Sequence, residues 1–202
     1  MKIRCILIAA LAWAWTAAFA QRDAKAREVL DRTAEAYSRA GAVSIRFDGT
    51  QSGVLNVKGN KFYLRCGGIE TWFDGRTQWS YVEQNEEVNV SEPAPEEVQS
   101  VNPYALVTMY REGFNYEYAG KTVRNGKQGQ EVRLTPETEQ ELKSVTLCVD
   151  AGARPIYIGI ELRNGTRQEF FVRSYLTRQN LPDSAFRFDK AKYPRAEVID
   201  LR

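Results

Sequence analysis

The chain has 202 residues, with 28 lysines and arginines against 26 aspartates and glutamates and no histidine. A length of this order suits one domain with a sizeable core. Without histidine the usual neutral-pH general base and the commonest metal ligand are missing, and the near balance of charge argues against a nucleic acid or an anionic membrane surface as partner.

Residues 1–20 read as a signal peptide: Lys2 and Arg4, an apolar run from Cys5 to Phe19, and Ala18-Phe19-Ala20 as a small-x-small cleavage site. The mature chain is expected to start at Gln21. Cys5 has no small-residue box leading into it, so a lipidated cysteine is not expected. Removing the first 20 of 202 residues leaves 182, and because Lys2 and Arg4 go with them, 26 basic residues remain against 26 acidic ones. Cys66 and Cys148 also remain, in a chain bound for a compartment that permits disulfides. Cys66 continues the register of Phe62 and Leu64, whereas Cys148 is out of register with Val145, Leu147 and Val149, which disfavours a bridge between them.

From the new N-terminus, "DAKAREVLDRTAEAYSRA" at 23–40 spaces Ala26, Val29, Leu30, Thr33, Ala34 and Tyr37 as an amphipathic helix stopped by Gly41. The period then changes to two at Val43, Ile45 and Phe47. Short strands are predicted at Val54–Lys58, Lys61–Cys66, Glu70–Phe73, Gln78–Val82 and Val88–Val90, separated by tight turns, as in an antiparallel meander. In "SEPAPEEVQSVNPYALVTMYREG", Ser91 and Asn102 suit N-caps and Pro103 a first helical position. That predicts a short helix near 95–100 and a second over 103–112, with Leu106, Val107 and Tyr110 as its apolar stripe. Five further strands follow, the last two joined by a hairpin at Asn164-Gly165. The fold class is α+β: one antiparallel sheet of about ten or eleven strands that must curl, with helices covering its concave face.

Motifs for catalysis are missing: there is no G-x-S-x-G elbow, C-x-x-C pair, H-E-x-x-H, P-loop or G-x-G-x-x-G. Carboxylate clusters at Glu86-Glu87, Glu96-Glu97 and "PETEQEL" lie in turns beside basic residues, as solvated surfaces do. Asn89-Val-Ser91 and Asn164-Gly-Thr166 match a glycosylation sequon that matters only in a eukaryotic secretory route. The aromatic residues are more informative. In "TQWSYV" Trp79 and Tyr81 share one face of a strand, Trp72 and Phe73 fall on opposite faces, and one of the latter two is expected to be less buried. Core packing and cavity lining both remain open for these rings.

The run "GVLNVKGNKFYLRCGGIETWFDGRTQWSYVEQNEEVNV" resembles the outer-membrane lipoprotein carrier (LolA-like) family, which reads G-x-L-x-V-K, an aromatic strand, then D-G-K-x-x-W-x-Y. Gly53, Leu55, Val57, Lys58, Phe62, Asp74, Gly75, Trp79 and Tyr81 carry the likeness, with Arg76 in place of the lysine. The tail "LPDSAFRFDKAKYPRAEVIDLR" is similar to the family's ending, an "lp-x-x-x-F-x-F" strand before a short valine-containing terminus.

The resemblance implies an unclosed, strongly curved antiparallel barrel with helices over its mouth and a cavity for acyl chains. It implies a periplasmic chaperone, monomeric, with no cofactor and no catalysis. Such a protein receives lipoproteins from an inner-membrane ABC lipoprotein-release transporter and gives them to an outer-membrane acceptor. Burial gains about 0.8 kcal/mol per CH₂, so acyl chains need shelter to cross water, and a lid must let them go. One departure bears on release: Gly59-Asn60 stand where the family carries Arg-Pro, whose arginine latches barrel to lid.

By strand parity and the resemblance together, the cavity is expected to be lined by Leu55, Val57, Phe62, Leu64, Trp79 and Tyr81 from the sheet and by Leu106, Val107 and Tyr110 from the lid. A slip of one residue in register would turn each strand residue to the other face. The alternative reading is a periplasmic lipid-sensing or regulatory binding module on the same fold.

Overall fold

The computed structural model describes residues 23–94 and 109–202. The expected signal peptide, the short helix near 95–100 and most of the second helix, with Leu106 and Val107, lie outside the described residues.

One helix, α1 (Ala24–Ala40), opens the described chain. It starts where Asp23 accepts hydrogen bonds from the backbone N–H groups of Lys25 and Ala26, at 2.7 and 3.3 Å, satisfying two helix-end donors that have no partner within the helix. It ends at Gly41, whose φ of +67° suits a residue without Cβ. The other carboxylate oxygen of Asp23 accepts from the N–H of Tyr118, at 3.1 Å, so the cap also ties the helix to the sheet.

Among the described residues, twelve strands form one sheet: β1 (Val43–Gly49), β2 (Gly53–Lys58), β3 (Lys61–Cys66), β4 (Ile69–Phe73), β5 (Gln78–Val82), β6 (Glu87–Ser91), β7 (Phe114–Arg124), β8 (Lys127–Pro136), β9 (Leu142–Val149), β10 (Pro155–Leu162), β11 (Arg167–Leu176) and β12 (Glu197–Asp200). Their order is β12-β6-β5-β4-β3-β2-β1-β11-β10-β9-β8-β7. The sheet is unclosed, with β12 and β7 at its two edges. It curves around α1, as the α+β reading anticipates.

The strand count exceeds the expected ten or eleven because the C-terminal residues add β12. This strand runs parallel to β6, unlike every other pair in the sheet. A segment leaving β11 must cross the sheet to reach β6, and it arrives in the same direction as its new neighbour. The "F-x-F" portion of the tail is not a strand. Phe186 ends a 3₁₀ turn (Asp183–Phe186), and a second such turn (Lys190–Lys192) follows before β12.

Register assigns each apolar residue to a face, because directly opposed residues on adjacent strands point the same way. Val57 faces Phe62 and Phe62 faces Phe73, while Tyr63 faces Trp72 and Trp72 faces Trp79. The first series lies on the face that carries α1 and the second on the opposite face. On the helix side, Ala26, Val29 and Leu30 pack into Tyr116, Val132, Leu134, Val145, Leu147 and Val149 of β7–β9. Opposite, Tyr157, Phe171 and Cys148 form a smaller cluster.

Two glycines of the motif have structural causes. A Cβ on Gly53 would fall 2.3 Å from the Phe47 ring and 2.4 Å from the Arg65 carbonyl oxygen. Gly75 takes a φ of +102° in a turn where Asp74 accepts from the N–H groups of Arg76 and Thr77, at 3.1 and 3.0 Å.

Candidate functional site

Period-two strands β1–β4 project Ile45, Leu55, Val57, Phe62, Leu64 and Phe73 onto the concave face. There they meet Tyr37 from α1 and Phe47 in one apolar cluster. Leu55, Val57, Phe62 and Phe73 are buried, whereas Leu64, Ile45 and Tyr37 keep part of their surface open. The Phe62 and Phe73 rings sit 5.6 Å apart and tilted by 33°. No member is charged, and burial pushes the Tyr37 phenol well above its usual pKa, so this part of the face is electrically neutral at every physiological pH.

The expected lining is therefore divided. Leu55, Val57, Phe62 and Leu64 come together as one patch. Trp79 and Tyr81 are corrected to the opposite face, since they pair with Trp72 and Glu70 rather than with Phe73 and Thr71. They pack with Trp72, Val88, Val90 and Tyr63 beneath Phe188, Tyr193 and Ala196 of the C-terminal segment. Tyr110 belongs to a 3₁₀ turn (Met109–Arg111) and is 2% exposed in the α1 cluster, its hydroxyl donating to Asp31 at 2.5 Å. It braces the helix against β7 and stands in a different cluster from Leu55 and Phe62.

Both Trp72 and Phe73 are buried, at 6% and 4% exposure, because both faces of β4 are covered there. The additional members of the patch carried a legible signal. Ile45 and Phe47 continue the period-two run of β1, Tyr37 lies on the helix stripe, and Phe73 is the cross-strand partner of Phe62.

A recess of about 410 Å³ opens on the opposite face, between Ser52, Arg65, Cys66, Glu70, Tyr81, Glu83 and Tyr193. Glu70 accepts hydrogen bonds from both Tyr63 and Tyr193 at its wall. Two carboxylates and a guanidinium make it unsuited to a hydrocarbon chain. Cys66 and Cys148 are free thiols, in keeping with their opposite registers. Among the described residues, no three His, Cys, Asp or Glu side chains group as metal ligands.

The motif lysine and the turn aspartate hold the tail. Lys58 donates to the Leu181 carbonyl at 3.0 Å and to Asp183 at 3.1 Å, Lys61 donates to Asp183 at 2.7 Å, and Arg187 donates to Asp74 at 2.9 Å.

No curated protein sequence matches the chain. Among solved structures, an uncharacterized conserved protein of Thermus thermophilus is 14% identical, with a TM-score of 0.59 over 87% of this chain and 99% of that one. The Mycobacterium tuberculosis lipoprotein LppX is also 14% identical, with a TM-score of 0.50 over 79% of this chain and all of the other. At such identities these likenesses speak to the fold. The family model described as outer membrane lipoprotein carrier protein LolA matches residues 16–166, most of the sequence, and the chain belongs to that family.

Proposed function

We propose that the protein is a periplasmic carrier that holds the acyl chains of lipoproteins against the apolar half of its concave face and ferries them from the inner to the outer membrane. The observation that supports this reading most is the neutral cluster of Leu55, Val57, Phe62, Leu64 and Phe73, which lies on the face that carries α1 and has partly open members. A dozen methylenes sheltered there gain roughly 10 kcal/mol, enough to hold a chain that water would reject. Export through the N-terminal segment, an inner-membrane ABC transporter as donor and an outer-membrane acceptor complete the proposal.

Leu64 is the residue to alter, because its surface is partly open and a charge there spares the packed core. Leu64→Arg is expected to weaken binding of a fluorescent fatty chain at least tenfold, about the cost of desolvating a cation beside hydrocarbon, while the melting temperature stays near that of the parent. In cells, removing the gene should strand lipoproteins in the inner membrane. Normal sorting with an altered envelope stress response would favour the regulatory module instead.

A further inference from the structure

On β4, β5 and β6 the two faces of the sheet are inverted. The side away from α1 carries Trp72, Trp79, Tyr81, Val88 and Val90 and is sealed by the C-terminal segment. The concave side carries Thr71, Gln78, Ser80, Asn89 and Ser91. Thr71 stands opposite Ser80 and Ser80 opposite Asn89, while Phe73 stands opposite Gln78 and Gln78 opposite Ser91. Thr71, Gln78, Ser80, Asn89 and Ser91 are all half-buried and uncharged, and Glu87 follows beyond Asn89 on the same face of β6. They continue directly from the apolar patch, since Thr71 pairs with Leu64 and Phe73 with Phe62.

Within this strip the Thr71 and Ser80 hydroxyls lie 3.3 Å apart. Gln78 keeps its amide oxygen buried with no hydrogen-bond partner among the described residues. A buried acceptor without a donor costs free energy, and at this position on the concave face a ligand N–H would recover it. Ligand sites join a largely apolar wall to a few placed polar groups that fix orientation.

We infer that Thr71, Gln78 and Ser80, with Asn89, form a head-group subsite for an acyl chain joined through an amide: the hydrocarbon lies on Leu55, Phe62 and Leu64, and the neutral amide lies over β4–β6. The Gln78 oxygen accepts the amide N–H, and the hydroxyls and the Asn89 amide donate to carbonyl oxygens. The strip offers no cation to a phosphate or carboxylate head, which sets neutral acylated amines and peptides apart from anionic lipids. This inference rests on the proposed carrier reading and assigns the ligand's orientation and head-group class.

The test is displacement of a dansyl-labelled fatty chain from the purified protein by three probes of equal chain length: N-palmitoylglycinamide, methyl palmitate and hexadecyl phosphate. The amide should displace the reporter at a concentration roughly tenfold below that of the ester, the effect of one well-made buried hydrogen bond. Gln78→Leu combined with Ser80→Ala should bring the two within about twofold, well inside the contribution of one such bond, because the amide loses both its N–H acceptor and a carbonyl donor whereas the ester loses the carbonyl donor alone. Gln78→Leu alone removes a buried oxygen that lacks a partner, so its melting temperature should not fall, which separates loss of binding from loss of fold. Equal displacement by amide and ester, a preference that survives the double variant, or tighter binding of hexadecyl phosphate overturns the subsite. Displacement by none of the three overturns the carrier reading beneath it.

Discussion

The ring of Trp72 on β4 meets the ring of Tyr193 in the C-terminal segment edge-on, with centroids 5.6 Å apart and planes at 78°. Phe188 approaches the same indole at 5.6 Å, and Tyr81 lies 4.8 Å from Tyr193. The largest rings among the described residues are thus consumed in fastening the tail to the outside of the sheet. Smaller aliphatic and phenyl groups are left on the concave face.

That arrangement makes Tyr193 a stability residue. Tyr193→Ala removes three ring contacts and a hydrogen bond to Glu70 of 2.9 Å. It should cost about 2–4 kcal/mol, in the range of buried aromatic truncations. Tyr193→Phe keeps the ring and should cost about 1 kcal/mol. Urea unfolding followed by tryptophan emission measures both, and the alanine variant should also show emission shifted to the red before unfolding begins.

Tryptophan also reports on which face the ligand uses. In the chain without residues 1–20, Trp72 and Trp79 are the remaining tryptophans, and both sit on the face away from α1. A brominated fatty chain bound in the hollow should quench them weakly. Leu64→Trp, on the concave face, should restore strong quenching. Strong quenching of the parent would place the chain on the outer side and contradict the assignment of faces.

The two thiols should behave differently. Cys148 is fully buried on the face with Tyr157 and Phe171, and burial pushes its pKa up to about 11. Cys66 is partly open and donates to the Gln51 side-chain oxygen at 3.0 Å, and burial raises its pKa as well. Reaction needs the thiolate as well as access, so Cys66 should label slowly at neutral pH and faster as pH rises. Cys66 alone should react in the folded protein, with Cys148 following only in denaturant. Mass spectrometry after air oxidation should find no intramolecular bridge.

Period and turn chemistry made the strands from β1 to β11 and helix α1 readable, because each strand's alternation and each glycine turn is a local property. What escaped depended on partners far along the chain. Parity correctly put Trp79 with Tyr81 and Phe62 with Leu64, yet it cannot say which of the two faces turns toward the helix. Large rings suggested the inside, and the tail that covers them outside has no local signature, since Phe188 and Tyr193 lie in loop beside short 3₁₀ turns rather than in an alternating strand. The motif itself was legible for a structural reason. Gly53 is required by the Phe47 ring, and Lys58 and Asp74 clasp the C-terminal segment. The likeness therefore marks how the barrel is held together more than what lines it.

The clasp at Asp183 gives the tail a pH dependence of known sign. Hydrogen bonds from Lys61 and then Lys58 hold its carboxyl down to about 2, below the value near 4 expected in an unfolded chain. A carboxyl depressed on folding contributes stability that is complete above its unfolded pKa and is lost as pH falls through the folded one. The tail should therefore hold firmly at pH 5 and loosen between about pH 4 and pH 2. Because Asp183 is exposed and salt screens such pairs, the effect should be local rather than global. The backbone N–H groups of Ala185 and Arg187, bonded within the adjoining turn at 2.9 and 3.3 Å, are the reporters. Their hydrogen-exchange protection, corrected for intrinsic rate, should fall several-fold between pH 5 and pH 2.5 in the parent. Asp183→Asn should show low protection at both pH values, and moderate salt at pH 5 should move the parent toward the variant. Equal pH dependence in parent and variant would show that the loosening does not come from the Asp183 clasp.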